Sequence, residues 1–252
     1  TVPPRVSVAV RLVDIQDEPR VRWMEVVALH GRDRLGFLGQ KEITDFDLLL
    51  ADAMSEVFES LERDLIAETG ARGLDRPQRR HDPRAWASPT DEPLLAESGV
   101  RVAVLPFRAD GTSRFAARIL ETMFLRHLSK FPDVHVIEPG VIRDALLGAR
   151  IIMYEGPSLD QTDIIGSLVS ADLEITGSVR TYSASAGVSS VPFIEFWTVG
   201  FEPSGKQSVW SSFSSNRGSD GVRFFRSGTV SSTEKLAFEM SRAIVHRWAD
   251  TP

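Results

Sequence analysis

The segment at residues 100–107, VRVAVLPF, is apolar at nearly every position. A strand with one face in water alternates apolar and polar residues, whereas a strand covered on both faces does not alternate. We therefore expect residues 100–107 to form a buried strand inside a sheet. Residues 173–179, LEITGSV, predict a further strand of the same sheet.

Periodicity predicts the surrounding elements. Residues 45–68 repeat apolar residues at steps of three and four, which is typical of a helix with one buried face. Its expected buried face consists of Phe46, Leu50, Ala53 or Met54, Val57, Leu61 and Leu65. Residues 113–130 predict a second helix, whose expected inward residues are Phe115, Ile119, Leu120, Met123 and Phe124. Further helices are expected at 139–147 and 158–169 and at the C-terminal end, and further strands at 6–12, 21–29, 134–137, 193–201 and 207–215.

These elements predict an α/β (α+β) fold, in which a mixed β-sheet is flanked by helices and is preceded by a smaller β-β-α unit. Residues 70–98 are rich in proline and arginine, and proline excludes a regular helix or a central strand there. We expect residues 1–69 to form the N-terminal unit, residues 70–98 a linker, and residues 99–252 the α/β domain. Whether residues 1–69 form a separate domain or complete the sheet of the second stays open at this point.

The helix expected at residues 45–68 is strongly acidic, with eight acidic residues against the single base Arg63. A solvated outer face accounts for such a charge run. A docking face for a basic partner is the alternative interpretation. On that interpretation Asp52, Glu56 and Glu59 are candidate partner-binding residues.

The hairpin expected at residues 193–215 concentrates aromatic residues. Packing in the core or in the sheet explains such a group, and an exposed edge that pairs with a partner strand is the alternative. The candidate partner-binding residues in this hairpin are Phe193, Phe196, Trp197 and Trp210.

Composition and motifs argue against a catalytic, metal or cofactor site. The chain has 252 residues, no cysteine and a net charge of −6, which disfavours zinc ribbons, cysteine nucleophiles and a nucleic-acid partner. The five histidines show no ligand spacing, so neither a metal nor a cofactor is expected. Ser232 and Lys235 match the S-x-x-K motif of serine hydrolases, but the companion motifs are absent and a helix cap explains this serine better.

Three short motifs carry a resemblance to a known family. AVLPF at 103–107, ADLEITGSV at 171–179 and VW at 209–210 occur in that order. Residues 99–249 thereby resemble the curli-transporter (CsgG-type) lipoprotein domain and the N-terminal domain of TolB. They are also similar to lipoprotein activators of penicillin-binding proteins. The resemblance implies that the first two motifs form adjacent central strands, with Gly177 allowing close backbone approach.

The resemblance also implies a function. It predicts a non-enzymatic bacterial domain in the periplasm, associated with the outer membrane, that acts as a scaffold for other envelope proteins in transport, secretion or assembly. A homo-oligomer, and an outer-membrane tether through a lipid on a residue outside this chain, belong to the same expectation. An activator of a peptidoglycan synthase is the alternative, since the same fold supports both.

Two features depart from the family pattern. Residues 148–170 are too short for a pair of membrane-crossing strands of about ten residues each, so we do not expect a pore. The chain also lacks a lipid-acceptor cysteine and begins with Thr1, for which a removed signal peptide and a cloning boundary are both explanations.

Overall fold

The computed structural model describes residues 4–16, 18–31, 43–66, 84–86, 94–95, 99–153, 157–183, 191–220, 230 and 232–249. Within these ranges the strands are β1 (Arg5–Asp14), β2 (Arg20–His30), β3 (Arg84–Trp86), β4 (Val100–Val104), β5 (Arg108–Ala109), β6 (Val134–Val136), β7 (Leu173–Ser183), β8 (Phe193–Glu202) and β9 (Gln207–Arg217). The helices are α1 (Phe46–Ile66), α2 (Arg114–Leu128), α3 (Pro139–Gly148), α4 (Leu159–Val169) and α5 (Thr233–Ala249).

The main sheet is mixed, with the strand order β3-β9-β8-β7-β4-β6 and with β5 paired to β7. Strand β4 runs parallel to both β6 and β7, whereas β7, β8, β9 and β3 pair antiparallel. The predicted α+β class with a mixed sheet flanked by helices is therefore confirmed. The expected adjacency of the two motif strands is also observed, since Ala103 of β4 lies beside Glu174 of β7.

Gly177 of β7 lies opposite Thr198 of β8, close to the ring of Phe107. A Cβ atom at this position would collide with the carbonyl oxygen of Trp197 and would lie 2.7 Å from the ring of Phe107. The close approach that was predicted from the sequence is thus present.

Helices cover the two faces of this sheet separately. On one face α2 and α5 pack over β4, β6, β7, β8 and β9, and Phe124 of α2 stacks on Trp248 of α5 at 5.6 Å between ring centroids. On the other face α3 and α4 pack over the parallel part of the sheet. Burial of each large side chain in these two clusters contributes about 1.5–3 kcal/mol. The second cluster consists of Ala103, Leu105, Ile137, Ile142, Leu146, Ile165 and Val169.

The N-terminal elements form a third, smaller cluster. Strands β1 and β2 pair with each other in a two-stranded sheet, and α1 packs on one face of it. A single bridge between Arg20 and Ile137 links this sheet to the end of β6. The cluster is built from Val6, Trp23, Val27, Leu49, Ala53 and Val57.

A buried ion network joins the N-terminal elements to α2. Arg126 binds both carboxylate oxygens of Glu25, at 2.6 and 3.1 Å, and the hydroxyl of Ser60 donates to Glu25 at 2.5 Å. Lys130 forms an ion pair with Asp64 and lies 3.5 Å from Glu25. Burial by itself would raise the pKa of Glu25, but Arg126, with Ser60 and Lys130, lowers this pKa to about 2.

Two predicted helix faces need correction. Phe115 is 77% exposed, because the neighbouring Ala116 and Ala117 occupy the close contact of α2 with the core. Phe46 is 52% exposed, because the face of α1 against β1 and β2 is centred on Leu49 instead. One residue changes direction on a helix by about 100°, so a small error in the centre of the stripe moves a side chain into water.

Part of the proline-rich segment lies in the sheet. Residues 84–86 form β3, which pairs with β9 at the edge of the main sheet. This edge position agrees with the expectation that the proline-rich segment forms no central strand. Apart from residues 94–95, the rest of 70–98 lies outside the described residues. No helix in the described part of the chain is both long and apolar enough to cross a membrane.

Candidate functional site

Strands β8 and β9 divide their side chains between two faces, as the period of two requires. The first set points at α5, and Ile194, Phe196 and Trp210 of this set are buried in the core. The second set, which we call the outward face, points away from α5. It consists of Phe193, Glu195, Trp197 and Val199 on β8 and of Ser211, Phe213, Ser215 and Arg217 on β9.

An aromatic pair forms the centre of the outward face. Trp197 lies directly opposite Phe213 across the β8–β9 ladder, and their ring centroids are 4.8 Å apart with the planes tilted by 42°. Trp197 is 36% exposed and Phe213 is half-buried. Cross-strand aromatic pairs of this kind stabilise each other by about 0.5–1.5 kcal/mol, and the exposed part of Trp197 offers an apolar surface to water.

Polar groups on the same face are already oriented. Glu195 accepts hydrogen bonds from the hydroxyls of Thr181 at 2.8 Å and of Ser215 at 3.3 Å. The guanidinium of Arg217 lies 4.8 Å from the centroid of Phe193, in a cation–π contact. The apolar centre therefore lies next to an acidic group and a basic group whose side chains are held in place.

The structure places the predicted hairpin residues in two different environments. Phe193 and Trp197 lie on the outward face. Phe196 is fully buried and Trp210 is 7% exposed, and both belong to the main core. Because a buried side chain has no surface to offer a partner, Phe196 and Trp210 are core residues in this fold, which is the alternative that the sequence left open.

The acidic residues of α1 lie on a different part of the molecule. Asp52 and Glu56 are half-buried and Glu59 is exposed, outside the apolar face that α1 packs against β1 and β2. The structure does not bring them together with the aromatic hairpin residues. The chain thus carries two separate candidate surfaces, and nothing in their geometry makes them one site.

Burial raises the pKa of two carboxyl groups. Glu174 is fully buried at Gly166 of α4, and neither of its oxygens has a hydrogen-bond partner within the described structure. Burial raises the pKa of Glu174 to about 8. Burial also raises the pKa of Glu121 to about 7, against a backbone hydrogen bond from Phe107 and the charge of Arg118. Because α4 covers Glu174, a substrate cannot reach this carboxyl without displacing the helix.

The residues that could have suggested catalysis make contacts that serve the fold. The backbone N–H of Lys235 donates to the hydroxyl of Ser232 at 3.2 Å, which is the N-cap contact of α5. The imidazole of His127 is fully buried against the carbonyl oxygen of Phe238 at 3.0 Å, and burial lowers its pKa. Across the described ranges, no group of three or more His, Asp or Glu residues is placed to hold a metal ion.

Glu195 and Arg217 are members of the outward face that were not predicted as contact residues, whereas Phe213 belongs to the aromatic group that the sequence indicates in this hairpin. The register of the hairpin determines which aromatic residues share a face. The turn at residues 203–206 pairs Glu202 with Gln207, and a β-bulge between Gly200 and Phe201 then shifts the register by one residue, so that Phe213 rather than Ser212 lies opposite Trp197. The sequence carried no recognised signal for this bulge.

Comparison with known proteins gives structural similarity alone. No family model and no curated protein matches the chain. The chain is similar to the PelC dodecamer from Paraburkholderia phytofirmans, with a TM-score of 0.43 and 19% identity over 67% of this chain and 97% of that one. It is similar to the lipoprotein GNA1162 from Neisseria meningitidis, with a TM-score of 0.39 and 14% identity over 60% of this chain and 98% of that one. It is also similar to the LpoB C-terminal domain from Escherichia coli, with a TM-score of 0.34 and 13% identity over 47% and 83%.

Proposed function

We propose that this chain is a non-enzymatic scaffold domain of the bacterial cell envelope, which docks other envelope proteins through the outward face of β8 and β9. The observation that carries the proposal is the cross-strand contact between Trp197, which is 36% exposed, and the half-buried Phe213 on the face of β8 and β9 that points away from α5. The resemblance of residues 99–249 to CsgG-type and TolB N-terminal domains supports the envelope part of the proposal.

The chemistry of the outward face suits protein binding. Large aromatic side chains at the centre of an interface supply contact area at a small cost in conformational entropy, and they are enriched among the residues that dominate binding energy. Glu195 and Arg217 flank the aromatic pair and supply charges of both signs for a polar rim. The strands hold all four side chains before a partner arrives, which reduces the ordering cost of association.

The location follows from the same proposal. We place the domain in the periplasm at the outer membrane, where a lipid on a residue outside this chain would tether it. In this role the chain uses its surfaces and needs neither a metal nor a cofactor.

The proposal is tested with a tagged protein and a detergent extract of bacterial envelopes. A double variant, Trp197→Ser with Phe213→Ser, is compared with the control Ile152→Ser, which removes a side chain that is 68% exposed on another surface. We expect the wild type and the control to retain the same envelope proteins and the double variant to lose them, as identified by mass spectrometry.

The identity of the retained proteins separates the two functions that share this fold. Export or secretion components support the transport scaffold, whereas a peptidoglycan synthase supports the activator. Recovery of the same proteins with the folded double variant contradicts the proposal.

A further inference from the structure

A groove of about 490 Å³ lies between α1 and α5, away from the outward face. Glu56 and Glu59 of α1 form one wall, and Glu234 and Lys235 of α5 form the other. Met123 and Arg126 of α2 and residues 25–28 of β2 also line the groove.

The register of the β1–β2 ladder shows which groups of β2 point into this groove. In an antiparallel pair, alternate residues of a strand bond to the partner strand, and the residues between them point their N–H and C=O groups the other way. Gly31 donates to the carbonyl of Pro4 at 3.0 Å, and the odd-numbered residues of β2 up to it, such as Val27 opposite Val8, continue that bonded series.

The even-numbered residues are therefore directed away from β1. Val26 confirms this direction, because its N–H donates to the carboxylate of Glu25 at 3.0 Å and not to β1. The carbonyl of Val26 and both backbone groups of Ala28 consequently face the groove. Within the ranges that the structure describes, β1 and the Arg20–Ile137 bridge are the pairings of β2. The segment at Val26–Ala28 is an open sheet edge inside a groove.

We propose that this groove binds an extended, basic segment of a partner protein, which adds to β2 as a third strand. Strand addition to an open edge uses backbone hydrogen bonds for affinity and the groove walls for selection. The α1 residues that line the groove favour basic residues of a partner, because they include Glu56 and Glu59 against the single base Arg63.

The other charges at the groove agree with this selection. Glu234 adds an acidic group from α5, and Arg63 and Lys235 are exposed bases in the lining. Arg126 contributes little positive field, because Glu25 binds it through both carboxylate oxygens. This groove is a second surface, so the inference stands whether or not the outward face binds a partner.

The test measures binding of a fluorescent, end-blocked hexapeptide of alternating lysine and valine to the full chain by anisotropy. The variant Ala28→Pro removes the N–H that points into the groove and leaves the bonded side of β2 intact. Ala9→Pro is the matched control, because Ala9 lies opposite Val26 in the same kind of pair and its N–H points to the outer edge of β1. Thermal unfolding of both variants establishes that they fold.

We expect the lysine–valine peptide to bind the wild type and Ala9→Pro equally, and Ala28→Pro about tenfold more weakly, as the loss of one backbone hydrogen bond requires. The same peptide with alternate backbone nitrogens methylated is expected not to bind the wild type, and this comparison needs no change in the protein. A peptide of alternating glutamate and valine is also expected not to bind. The proposal is overturned if the wild type does not bind the lysine–valine peptide, or if Ala28→Pro binds this peptide as tightly as the wild type does. Binding of the methylated peptide or of the acidic peptide to the wild type with the affinity of the lysine–valine peptide overturns it too.

Discussion

Buried charged residues contribute to holding the N-terminal elements against α2. Glu25 has a side chain that is 9% exposed, and Arg126, its bidentate partner, is 14% exposed. An ion pair buried to this extent is costly to break on one side, because the remaining charge is left without a partner. The N-terminal elements are therefore held by a polar network as well as by apolar packing.

Glu25→Gln is expected to destabilise the protein most at neutral pH. The pKa of Glu25 is about 2 in the folded chain, below its ordinary value of 4.5, so the stabilisation is present above about pH 4.5 and is lost as the pH falls toward 2. At pH 7 we expect a loss of about 3 kcal/mol, since one pKa unit corresponds to about 1.4 kcal/mol. Urea unfolding of the wild type and the variant at pH 7 and pH 3 measures this difference, and a pH-independent difference contradicts the role of Glu25.

Glu174→Gln is expected to have the opposite pH dependence. The pKa of Glu174 is about 8 in the folded chain and 4.5 ordinarily, so the wild type loses stability as the pH rises from about 4.5 to 8. The glutamine cannot ionise, and the variant should gain stability relative to the wild type between pH 5 and pH 8, by up to several kcal/mol. Chemical denaturation at both pH values provides the test, in which an equal difference at pH 5 and pH 8 argues against a neutral buried carboxyl.

At the scale of elements, local sequence signals predicted most of the helices and strands. The α4 helix begins at a capping box in which Ser158 and Gln161 bond reciprocally, and α3 begins with Pro139 behind its cap Glu138. These signals span three or four residues and can be recognised in the sequence. The side of a helix or strand that faces the core depends on what packs against it, and this explains the errors at Phe115 and Phe46 and the burial of Phe196 and Trp210.

The contact between β7 and β8 at Gly177 is a test of the close packing of these two elements. We expect Gly177→Ala to cost about 2–3 kcal/mol, because the added methyl group meets the carbonyl of Trp197 and the ring of Phe107. Gly148→Ala is the matched control at the end of α3, where an added Cβ has no atom within 4 Å, and it should change stability by about 0.5 kcal/mol or less. Equal urea midpoints for the two variants would show that the contact is not tight.

At the scale of the whole molecule, pairings over long separations could not be predicted from the sequence. Arg126 binds Glu25 from 101 positions away, and no periodicity connects the two residues. The centre of the candidate site could not be predicted for the same reason, since the pairing of Trp197 with Phe213 depends on the register of the hairpin. The sequence did identify the hairpin as the aromatic region, because its composition is a local property.

The central claim is that the outward face contacts envelope proteins in the cell. The most direct measurement replaces Trp197 with the photoreactive residue benzoylphenylalanine in the full-length protein in living bacteria and analyses the ultraviolet-induced adducts. In the control, benzoylphenylalanine replaces Arg143, whose side chain is 74% exposed on α3. We predict discrete adducts with envelope proteins from position 197 and none of these adducts from position 143. The same adducts from both positions, or none from position 197 in a correctly localised protein, would contradict the claim.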